Sequence, residues 1–515
     1  MHDCVPSPKG EKILSLSELA DVLKAVRGAG GEVVVLAHGT FDLLHFGHVR
    51  HLKAAAALGT RLVVTLTADQ HVNKGPGRPV FPEAARAEML AALGCVDWVA
   101  ISDEVTSLSV IDALKPDVYV KGSEYANEAE DVTGNITRER LAVERHGGRL
   151  AFTDDVVYSS SNLINRYVRP RDPKLTAFLD GMKKPDLMAD LTKLVDRVRD
   201  MKVLVIGDSI IDQYDYVVPL GKPPKESIIA TRNEGREVFA GGVVAAANHV
   251  ASFAGHVDVV TMTGDDAYRD VVFAAAKPNV HLTALTRTGS PTTRKVRYVE
   301  QAFTRKLFEV YHFNDKPISG EDEAEFLAAI TERIDAADLV LVTDFGHGLI
   351  TAPVIALLTK RAKFLAVNAQ SNSANHGFNL ISRYPRADYI CIDAPEARLA
   401  TGDKHGDITG VVSEQLPRLV DCDNIIVTHG KLGCVAYNPR EGLTQIPALT
   451  SSVVDTIGAG DAFLAVTSPL VAAGGRMDQV ALLGNAAGAI KVGILGHRTA
   501  VERAPLLRFV ASLLK

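Results

Sequence analysis

Residues 455–463 read Asp-Thr-Ile-Gly-Ala-Gly-Asp-Ala-Phe, which places a carboxylate directly after a glycine turn at the start of an apolar helical pattern. The residues before the turn, 443–454, have extended character, and a helical pattern runs on to residue 472. A turn of this kind directs free backbone N–H groups at an anion, here those of Gly458, Ala459 and Gly460. Asp461 can then accept a proton from an attacking hydroxyl. The stretch predicts a phosphoryl-transfer site, with an ordinary glycine-rich connection as the alternative.

A second pattern with its own chemistry lies near the start of the chain. Residues 32–37 form a strand-like apolar run, residues 38–48 read His-Gly-Thr-Phe-Asp-Leu-Leu-His-Phe-Gly-His, and a helical pattern covers 49–58. His45 and His48 are three residues apart and therefore share a helix face. Together with the backbone N–H groups of the helix start, they can hold a triphosphate. Half of a metal site or a surface coincidence are the alternatives for such a pair.

The bulk properties indicate a globular protein with more than one domain. The chain has 515 residues, 47% of them hydrophobic and 23% charged, and a formal net charge of −6. A chain of this length exceeds what one core usually holds. The negative charge and the lack of a basic stripe argue against nucleic-acid binding. The five cysteines form no CxxC pair, which favours a reducing compartment over a disulfide framework.

No apolar stretch approaches membrane-spanning length, and the first residues lack the apolar region of a secretion signal. We therefore expect a soluble, cytoplasmic protein with no membrane partner.

Strand-like and helical segments alternate over residues 33–157, which predicts a parallel sheet with crossover helices. More alternation follows a strand predicted at 202–207. Residues 214–232 and 292–313 instead show strand-like alternation without helices. The prolines and charges of 169–185 indicate a linker between two domains, 1–168 and 186–515.

The stretch at 455–463 resembles the signature of the ribokinase (PfkB) family of sugar kinases. The resemblance implies that Asp461 is the catalytic base and that the glycine turn is the anion hole. It further implies sugar contacts from Asp208 and Asp212, and magnesium ordered by Glu396 in the sequence Asp-Ala-Pro-Glu. For the nucleotide, it implies Thr428, Gly430 and Gly433 of a T-x-G-x-x-G turn, and Asn485 beside the adenine.

The sugar end departs from the pattern of that family. Gly241 and Gly242 match its GGxxN motif, but Ala245 stands at the Asn position. Asn248, one helical turn later, is the candidate replacement among the substrate-binding residues. Arg294 and its neighbours Lys295 and Arg297 are candidates to hold a phosphate on the substrate, or else they form a solvated edge-strand face. Asp212 has a similar alternative as a solvated loop acid.

The N-terminal pattern resembles the GTFDLLHxGH motif of cytidylyltransferase-type nucleotidyltransferases, and the likeness extends over residues 30–168. It implies that His45, His48 and Lys74 stabilise charge during nucleotidyl transfer. Lys74 lies in a Gly/Pro-rich loop, and the alternative is that this loop is simply solvated. The nucleotide contacts that it implies are Thr40, Phe41, Asp42, Lys121, Ser159, Ser160 and Ser161. Asp154 and Asp155 replace the Arg-Thr pair of the glycerol-phosphate enzymes, which favours adenylyl over cytidylyl transfer.

Together the two halves resemble the bifunctional heptose kinase/heptose-phosphate adenylyltransferase family, with the domain order reversed. The expected fold is α/β: a Rossmann-like nucleotidyltransferase domain, then a ribokinase-like αβα domain with a β lid. ATP as substrate, Mg²⁺, sugar or sugar-phosphate substrates and a homodimer through the lid are implied as well. Three alternatives remain: an adenylyltransferase of cofactor biosynthesis, a nucleoside or ribose kinase fused to another transferase, and a non-catalytic sensor.

Overall fold

The computed structural model describes residues 12–28, 30–72, 78–104, 106–122, 135–153, 173–222, 225, 227–300, 304–450 and 453–514. The chain divides into two compact units, Met1–Asp172 with Leu507–Lys515, and Pro173–Leu506. Each unit has its own sheet of mostly parallel strands, which confirms the predicted α/β class. None of the helices in the described ranges combines the length and the apolar character that crossing a membrane requires.

The first unit contains a parallel sheet with the order β3-β2-β1-β4-β5. Its strands are β1 (Val34–Gly39), β2 (Arg61–Thr67), β3 (Trp98–Ser102), β4 (Val118–Gly122) and β5 (Arg149–Thr153). Its helices are α1 (Leu16–Gly28), α2 (Phe46–Ala56), α3 (Glu83–Ala91), α4 (Leu108–Leu114) and α5 (Asn135–Arg145). Because the strand order reverses at β1, a crevice opens at the carboxyl end of that strand.

Apolar side chains cover both faces of this sheet, since successive residues of a strand point to opposite faces. In β1, Val35 and Ala37 share a core with residues of α2 and α3. Val34 and Leu36 share the opposite core with residues of α1 and α4. Burial on both faces explains the nearly continuous apolar run of the strand. It also fixes where the 40–48 loop begins.

The second unit is built on a nine-stranded sheet with the order β10-β9-β6-β13-β14-β15-β16-β17-β18, antiparallel only at its last two ladders. A separate four-stranded sheet has the order β12-β11-β7-β8. The strands are β6 (Lys202–Gly207), β7 (Ser209–Gly221), β8 (Ala230–Gly241), β9 (His256–Thr263), β10 (Val280–Thr286), β11 (Thr293–Glu300), β12 (Arg305–His312), β13 (Leu339–Asp344), β14 (Leu365–Ala369), β15 (Tyr389–Asp393), β16 (Asn424–Thr428), β17 (Cys434–Asn438) and β18 (Gly442–Ile446).

The helices of the second unit are α6 (Pro173–Met182), α7 (Leu187–Asp196), α8 (Gly242–Val250), α9 (Tyr268–Ala274), α10 (Gly320–Ile334), α11 (Ala352–Arg361), α12 (Ala394–Thr401), α13 (Ala459–Ala472) and α14 (Met477–Lys491). A last helix, α15 (Arg503–Leu514), begins in this unit and ends among the residues grouped with the first unit. Shorter helical segments lie at Asp69–His71, Ile381–Arg383, Ile408–Gly410, Val411–Gln415, Leu416–Leu419 and Gly430–Leu432.

The four-stranded sheet, called the lid below, contains the two strand-rich segments predicted at 214–232 and 292–313. Strand β7 pairs in parallel with β11, and this register places Asp212 opposite Lys295. Both residues are almost fully buried. The lid therefore brings an acid and a cation from distant parts of the sequence into one interior.

The segment expected to be an exposed linker, 169–185, contains the helix α6. Its Leu175 and Leu179 are buried. Proline at the first position of a helix is well tolerated, and leucines four residues apart give the helix an apolar stripe. Over these residues the structure differs from the expected tether. Residues 507–515, expected in the second domain, are grouped with the first unit.

Candidate active sites

The glycine turn at 458–460 lies at the N-terminus of α13, where the sequence pattern predicts it. Gly458 precedes the helix with a φ of 75°, in the left-handed region that glycine adopts readily. A Cβ atom at this position would lie 2.6 Å from Cε1 of His497. The close approach therefore requires glycine. The N–H group of Ala459 donates to the Thr456 carbonyl over 3.3 Å. The other N–H groups at the start of α13 lack a partner within the helix, which is the arrangement that suits an anion at this point.

Asp461 lies in the first turn of α13 and is 7% exposed. The amide nitrogen Nε2 of Gln370 donates a hydrogen bond to its Oδ1 over 3.0 Å. Burial raises the pKa of the Asp461 carboxyl, and Asp212 raises it further, while His497, Lys295 and Lys491 act in the opposite direction. A buried carboxylate with a raised pKa, held by one directed donor, is suited to accept a proton.

The first acid of the motif, Asp455, has a different role. It accepts hydrogen bonds from the Tyr214 hydroxyl (2.5 Å), Lys306 Nζ (2.6 Å) and the backbone N–H groups of Gly496 (2.9 Å) and Ile457 (3.1 Å). Burial opposes its ionisation, yet these donors outweigh burial and lower the pKa of Asp455. With four donors, this carboxylate fixes the turn and is not available to a substrate.

A cavity of about 270 Å³ collects the motif residues of the second unit. Main-sheet strands β14, β15 and β16 reach it with their carboxyl ends, and the lid closes it with β7 and β11. The predicted site residues in its lining are Asp212, Gly242, Glu396, Thr428, Gly458, Gly460 and Asp461. The structure thus brings the predicted base, the predicted anion turn and one predicted sugar-binding acid around one space.

The two acids after β6 are buried, not solvated. Asp208 accepts a hydrogen bond from the Phe345 N–H group over 3.0 Å, and burial and the nearby Asp344 raise its pKa to about 7. It does not line the cavity. Burial also acts against the ionisation of Asp212, but the Arg297 guanidinium and the His497 ring outweigh it and lower the pKa of Asp212. Asp212 is therefore the charged one of these two acids, and it lines the cavity.

The glycine pair at the start of α8, Gly241 and Gly242, allows the backbone to pass close to these acids. Gly242 has a φ of 56°, and a Cβ atom on Gly241 would collide with the carboxylate of Asp212. Gly242 lines the cavity, whereas Gly241 lies behind it. These glycines are required for packing at the sugar end, and Gly242 is the one that a substrate can reach.

Asn248 and Arg294 are not brought to the cavity. The Asn248 amide donates to the Ala275 carbonyl over 2.8 Å and accepts from the Lys277 N–H group over 3.0 Å, so both of its polar atoms hold the 275–277 turn. Arg294 packs over the Tyr268 ring at 4.9 Å and contacts Gln213. The alternation of side chains along β11 sends Arg294 to one face and its neighbour Lys295 to the other.

Lys295, in contrast, lines the cavity and is 7% exposed. Its ammonium lies 5.3 Å from the centre of the Tyr311 ring and 5.8 Å from that of Phe345. Among the described residues no carboxylate lies within ion-pair distance of it, whereas Arg297 pairs with Asp212 and Glu309. Burial lowers the pKa of Lys295. This cation is placed to receive an anionic group in the cavity.

Glu396 occupies the position implied for a metal ion. It accepts backbone hydrogen bonds from Ser371 (3.0 Å) and Asp393 (2.8 Å), and the Asp393 side chain caps the same helix, α12. Burial, followed by repulsion from Asp393, raises the pKa of Glu396 to about 8. A cation bound between Glu396 and Asp393 would offset the repulsion between their negative charges. These two residues therefore fit a magnesium ion that enters with a nucleotide.

The nucleotide end is less enclosed. Thr428 ends β16 and lines the cavity, and a tight turn follows in which the His429 N–H group donates to the Gly433 carbonyl over 2.7 Å. Gly430 and Gly433 both have positive φ. The Asn485 amide donates to the Pro447 carbonyl over 2.8 Å. Gly430, Gly433, Ala459 and Asn485 are not among the residues that line the cavity.

Three residues with contacts in this site were not singled out by the sequence patterns. Gln370 holds the base, His497 pairs with Asp212 over 3.1 Å, and Lys491 lies beneath the glycine turn. The sequence does contain one indication of Lys491, because it is the only charged residue in the mostly apolar run 480–495. The other two are polar residues in loops without a pattern of their own.

In the first unit, His45 and His48 cap the N-terminus of α2. His45 Nδ1 accepts from the Gly47 N–H group over 3.1 Å, and His48 Nδ1 accepts from the His45 N–H group over 3.4 Å. The two rings stack with their centres 4.0 Å apart. His45 Nε2 is buried without a hydrogen-bond partner in the described part of the chain. Burial also lowers the pKa of His45, which favours the neutral ring.

Buried side chains fix the loop that precedes these histidines. Asp42 is 1% exposed and is bound by the side chain of Arg78 and the N–H group of Val80. The Arg86 guanidinium is fully buried and donates to the carbonyls of Thr40 and of Thr67, the latter over 2.9 Å. Phe41 is buried and its ring meets His48 edge-on. These contacts give Phe41 and Asp42 a structural role that supports the histidines.

Lys121 is the next-to-last residue of β4 and pairs with Glu139 over 3.1 Å. Burial and the nearby Lys121 together lower the pKa of His38 to about 3. Lys74, Ser159, Ser160 and Ser161 lie outside the described residues. The structure therefore places the histidine part of the predicted transferase site, and the loops implied around it stay predictions.

Comparison with known proteins finds a matching family model in each unit. Residues 200–504 match the family model described as pfkB family carbohydrate kinase. Residues 36–166 match the model described as cytidylyltransferase-like. In the solved structures, Escherichia coli phosphofructokinase-2 in complex with substrates and products gives a TM-score of 0.51 at 13% identity, with 61% of this chain and 100% of that chain covered. This likeness is one of fold.

Two relatives carry the name bifunctional protein HldE. That of Syntrophotalea carbinolica is 44% identical over 158 residues, which are 30% of this chain and 31% of the relative. That of Bradyrhizobium diazoefficiens is 31% identical over 324 residues, 61% of this chain and 63% of the relative. The chain thus covers less than two thirds of the length of these relatives. Because the pfkB model spans more than half of the chain and contains the glycine turn with its buried acid, the chain belongs to the pfkB family of carbohydrate kinases.

Proposed function

We propose that this chain is a bifunctional enzyme. Its second unit transfers a phosphoryl group from ATP to a sugar, with a heptose phosphate as the acceptor. Its first unit transfers a nucleotidyl group from a nucleoside triphosphate, ATP in this proposal, to a sugar phosphate and releases pyrophosphate. The single observation that carries the kinase assignment is Asp461, buried in the first turn of α13 beside the glycine turn and held by Gln370.

The kinase step follows from these positions. Asp461 accepts the proton of the attacking sugar hydroxyl while the backbone N–H groups of the turn stabilise charge on the transferred group. Asp212, kept ionised by Arg297 and His497, accepts hydrogen bonds from other hydroxyls of the sugar. Positioning and electrostatic stabilisation are the main contributions in phosphoryl transfer, because the protein forms no covalent bond to the group.

Glu396 and Asp393 would hold Mg²⁺ together with the phosphates of the nucleotide. When bound, the ion supplies charge neutralisation at the phosphate oxygens. Mg²⁺ retains several waters and needs only one or two protein carboxylates, which suits Glu396 with its two backbone contacts.

The position of Lys295 supports the proposal that the acceptor sugar already carries a phosphate. It is a buried cation without a carboxylate partner in the described residues, on the lid side of the cavity and next to Asp212. The relatives named bifunctional protein HldE support the heptose class and the pairing of the two reactions.

In the first unit, the helix start at α2 and the two histidines would bind the triphosphate. His45 Nε2 is a buried polar atom without a hydrogen-bond partner among the described residues, so it is a donor that a phosphate oxygen would satisfy. Lys121, Lys74 and the serines 159–161 complete the site in this proposal. The enzyme would act in the cytoplasm, where ATP is available.

The lid supports a proposed homodimer. Several of its apolar side chains are exposed, including Val218, Leu220 and Phe308. Burying them against a second copy would remove apolar surface from water. The mass in solution, measured by light scattering, decides between a monomer and a dimer.

Asp461→Asn tests the kinase assignment. We expect kcat for phosphoryl transfer to fall by roughly a thousandfold or more, because the base is lost. ATP binding should persist, since the turn amides remain. Asp270→Asn, which changes an exposed acid on α9, is the matched control. Kinase activity within tenfold of wild type in Asp461→Asn would contradict the proposal.

His48→Ala tests the transferase assignment. Nucleotidyl transfer should fall by roughly a hundredfold, because a preorganised group at the phosphates is removed. His146→Ala provides the control, since this histidine contacts Asp112 away from α2. Transfer that survives in His48→Ala at the wild-type rate would refute the assignment.

Mass spectrometry of the products formed from heptose, hexose and pentose phosphates with ATP and CTP identifies the substrates.

A further inference from the structure

Lys491 is a fully buried cation directly beneath the glycine turn of the kinase cavity. It is the last residue of α14 and has no exposed surface. Its Nζ donates hydrogen bonds to the carbonyls of Ile457 and Gly496, both over 2.7 Å. A Cβ atom built on Gly458 would lie 3.3 Å from its Cε. The ammonium is thus packed against the residue that opens the anion site.

The partners of this lysine are unusual for a buried charge. In the described part of the chain, no carboxylate lies within ion-pair distance of its Nζ, and its two recorded partners are neutral carbonyls. Burial lowers the pKa of Lys491, and the negative charges of Asp455, Asp461 and Asp212 oppose that shift from farther away. Burying a charge without a direct counterion is costly, and carbonyl bonds offset only part of that cost. A structural clamp between two carbonyls needs no charge, so the charge itself requires an explanation.

The same lysine connects the two ends of the cavity. The Val454 and Asp455 N–H groups donate to the Val492 carbonyl, and the Gly496 N–H group donates to Asp455. The next residue, His497, pairs with the sugar-end acid Asp212. Lys491 bonds to both segments, 455–457 and 496–497, so it fixes the turn relative to the sugar-binding acid.

We propose that Lys491 is a positioning residue of the kinase site, whose buried ammonium adds a fixed positive charge behind the turn amides and holds the turn against residues 496–497. The proposal rests on the kinase function proposed above. In a cavity that excludes water, a fixed charge near the transferred group interacts more strongly than it would in water. Its effect is larger on the transition state, where negative charge moves toward the turn, than on bound ATP.

Three substitutions separate the charge from the hydrogen bonds. Lys491→Arg keeps both, Lys491→Gln keeps a donor without the charge, and Lys491→Met removes both. We expect kcat to fall roughly thirtyfold to a thousandfold in both neutral variants, with the KM for ATP changed less than fivefold. Lys491→Arg should recover at least a third of the wild-type kcat. Lys360→Gln, an exposed lysine on α11, has the same change in net charge and serves as the control.

Thermal unfolding of each variant is measured alongside its kinetics. A Lys491→Gln or Lys491→Met protein that folds and keeps kcat within threefold of wild type would overturn the proposal. A folded Lys491→Arg protein without activity would do so as well, and so would neutral variants that unfold, because Lys491 would then be structural only. Since Asp461→Asn tests the base independently, an active Asp461→Asn enzyme contradicts the proposed kinase function, whereas an inactive one with normal Lys491 variants contradicts only this inference.

Discussion

At the scale of single residues, the kinase cavity works by holding charged groups in fixed protonation states. Asp212 is kept ionised by Arg297 and His497, while burial raises the pKa of Asp461. When the pKa of one acid in a cavity is lowered and that of another is raised, the two acids can have different chemical roles. Asp212 suits binding, and Asp461 suits proton transfer.

Gln370 is the residue whose side chain donates a hydrogen bond to the proposed base. Its amide donates to the ionised Asp461 carboxylate, so Gln370→Leu should raise the pKa of Asp461 further. Asp461 acts as a base only when ionised, and activity is lost as pH falls through its pKa. We therefore expect the acid limb of the kcat profile to move to higher pH. A loss in kcat of about tenfold to a hundredfold follows from the lost hydrogen bond.

The measurement is the pH dependence of kcat for both proteins. Gln415→Leu is the matched control, because it removes another glutamine–aspartate contact, to Asp403, outside the cavity. An unchanged acid limb in Gln370→Leu would show that this amide does not act on the base.

At the scale of elements, helix α8 shows how a position that looks functional can be structural. Asn248 is one turn after the Ala245 position, which led to its prediction as a sugar ligand. Its amide instead fixes the chain after α9, at Ala275 and Lys277. The helix face that carries Asn248 is therefore turned toward packing, away from the substrate.

Asn248→Ala should lower the free energy of unfolding of the second unit by about 1–3 kcal/mol, because two backbone groups lose their partner. The KM for the sugar should stay within threefold of wild type. Denaturant unfolding and steady-state kinetics check the two halves of the prediction. A large rise in KM with unchanged stability would restore Asn248 to the substrate site.

At the scale of the whole molecule, the chain folds as two units, and the first unit combines residues from both ends of the sequence. Leu507 and Val510 are fully buried, and they belong to the segment grouped with the first unit. A fragment that ends at Asp172 lacks this segment and its buried apolar side chains.

We accordingly expect Met1–Asp172, expressed alone, to unfold at a lower temperature than the transferase unit of the full chain. The complementary fragment Pro173–Lys515 contains the whole kinase cavity and should retain kcat within threefold. Thermal unfolding and separate transferase and kinase assays test both statements. Equal stability of the isolated fragment would show that residues 507–515 contribute little to the first unit.

The sequence by itself determined the α/β class, most strand positions, the glycine turn with Asp461 and the histidine motif. Each of these is encoded locally, by apolar periodicity or by glycines and polar residues at fixed spacing. Only the tertiary structure decided which polar residues meet in the cavity. Lys295 enters it and Arg294 does not, because the pairing of β11 with β7 sets the face of each side chain. Gln370 and Lys491 reach the turn through contacts across 91 and 34 residues of sequence, and no local pattern encodes such distances.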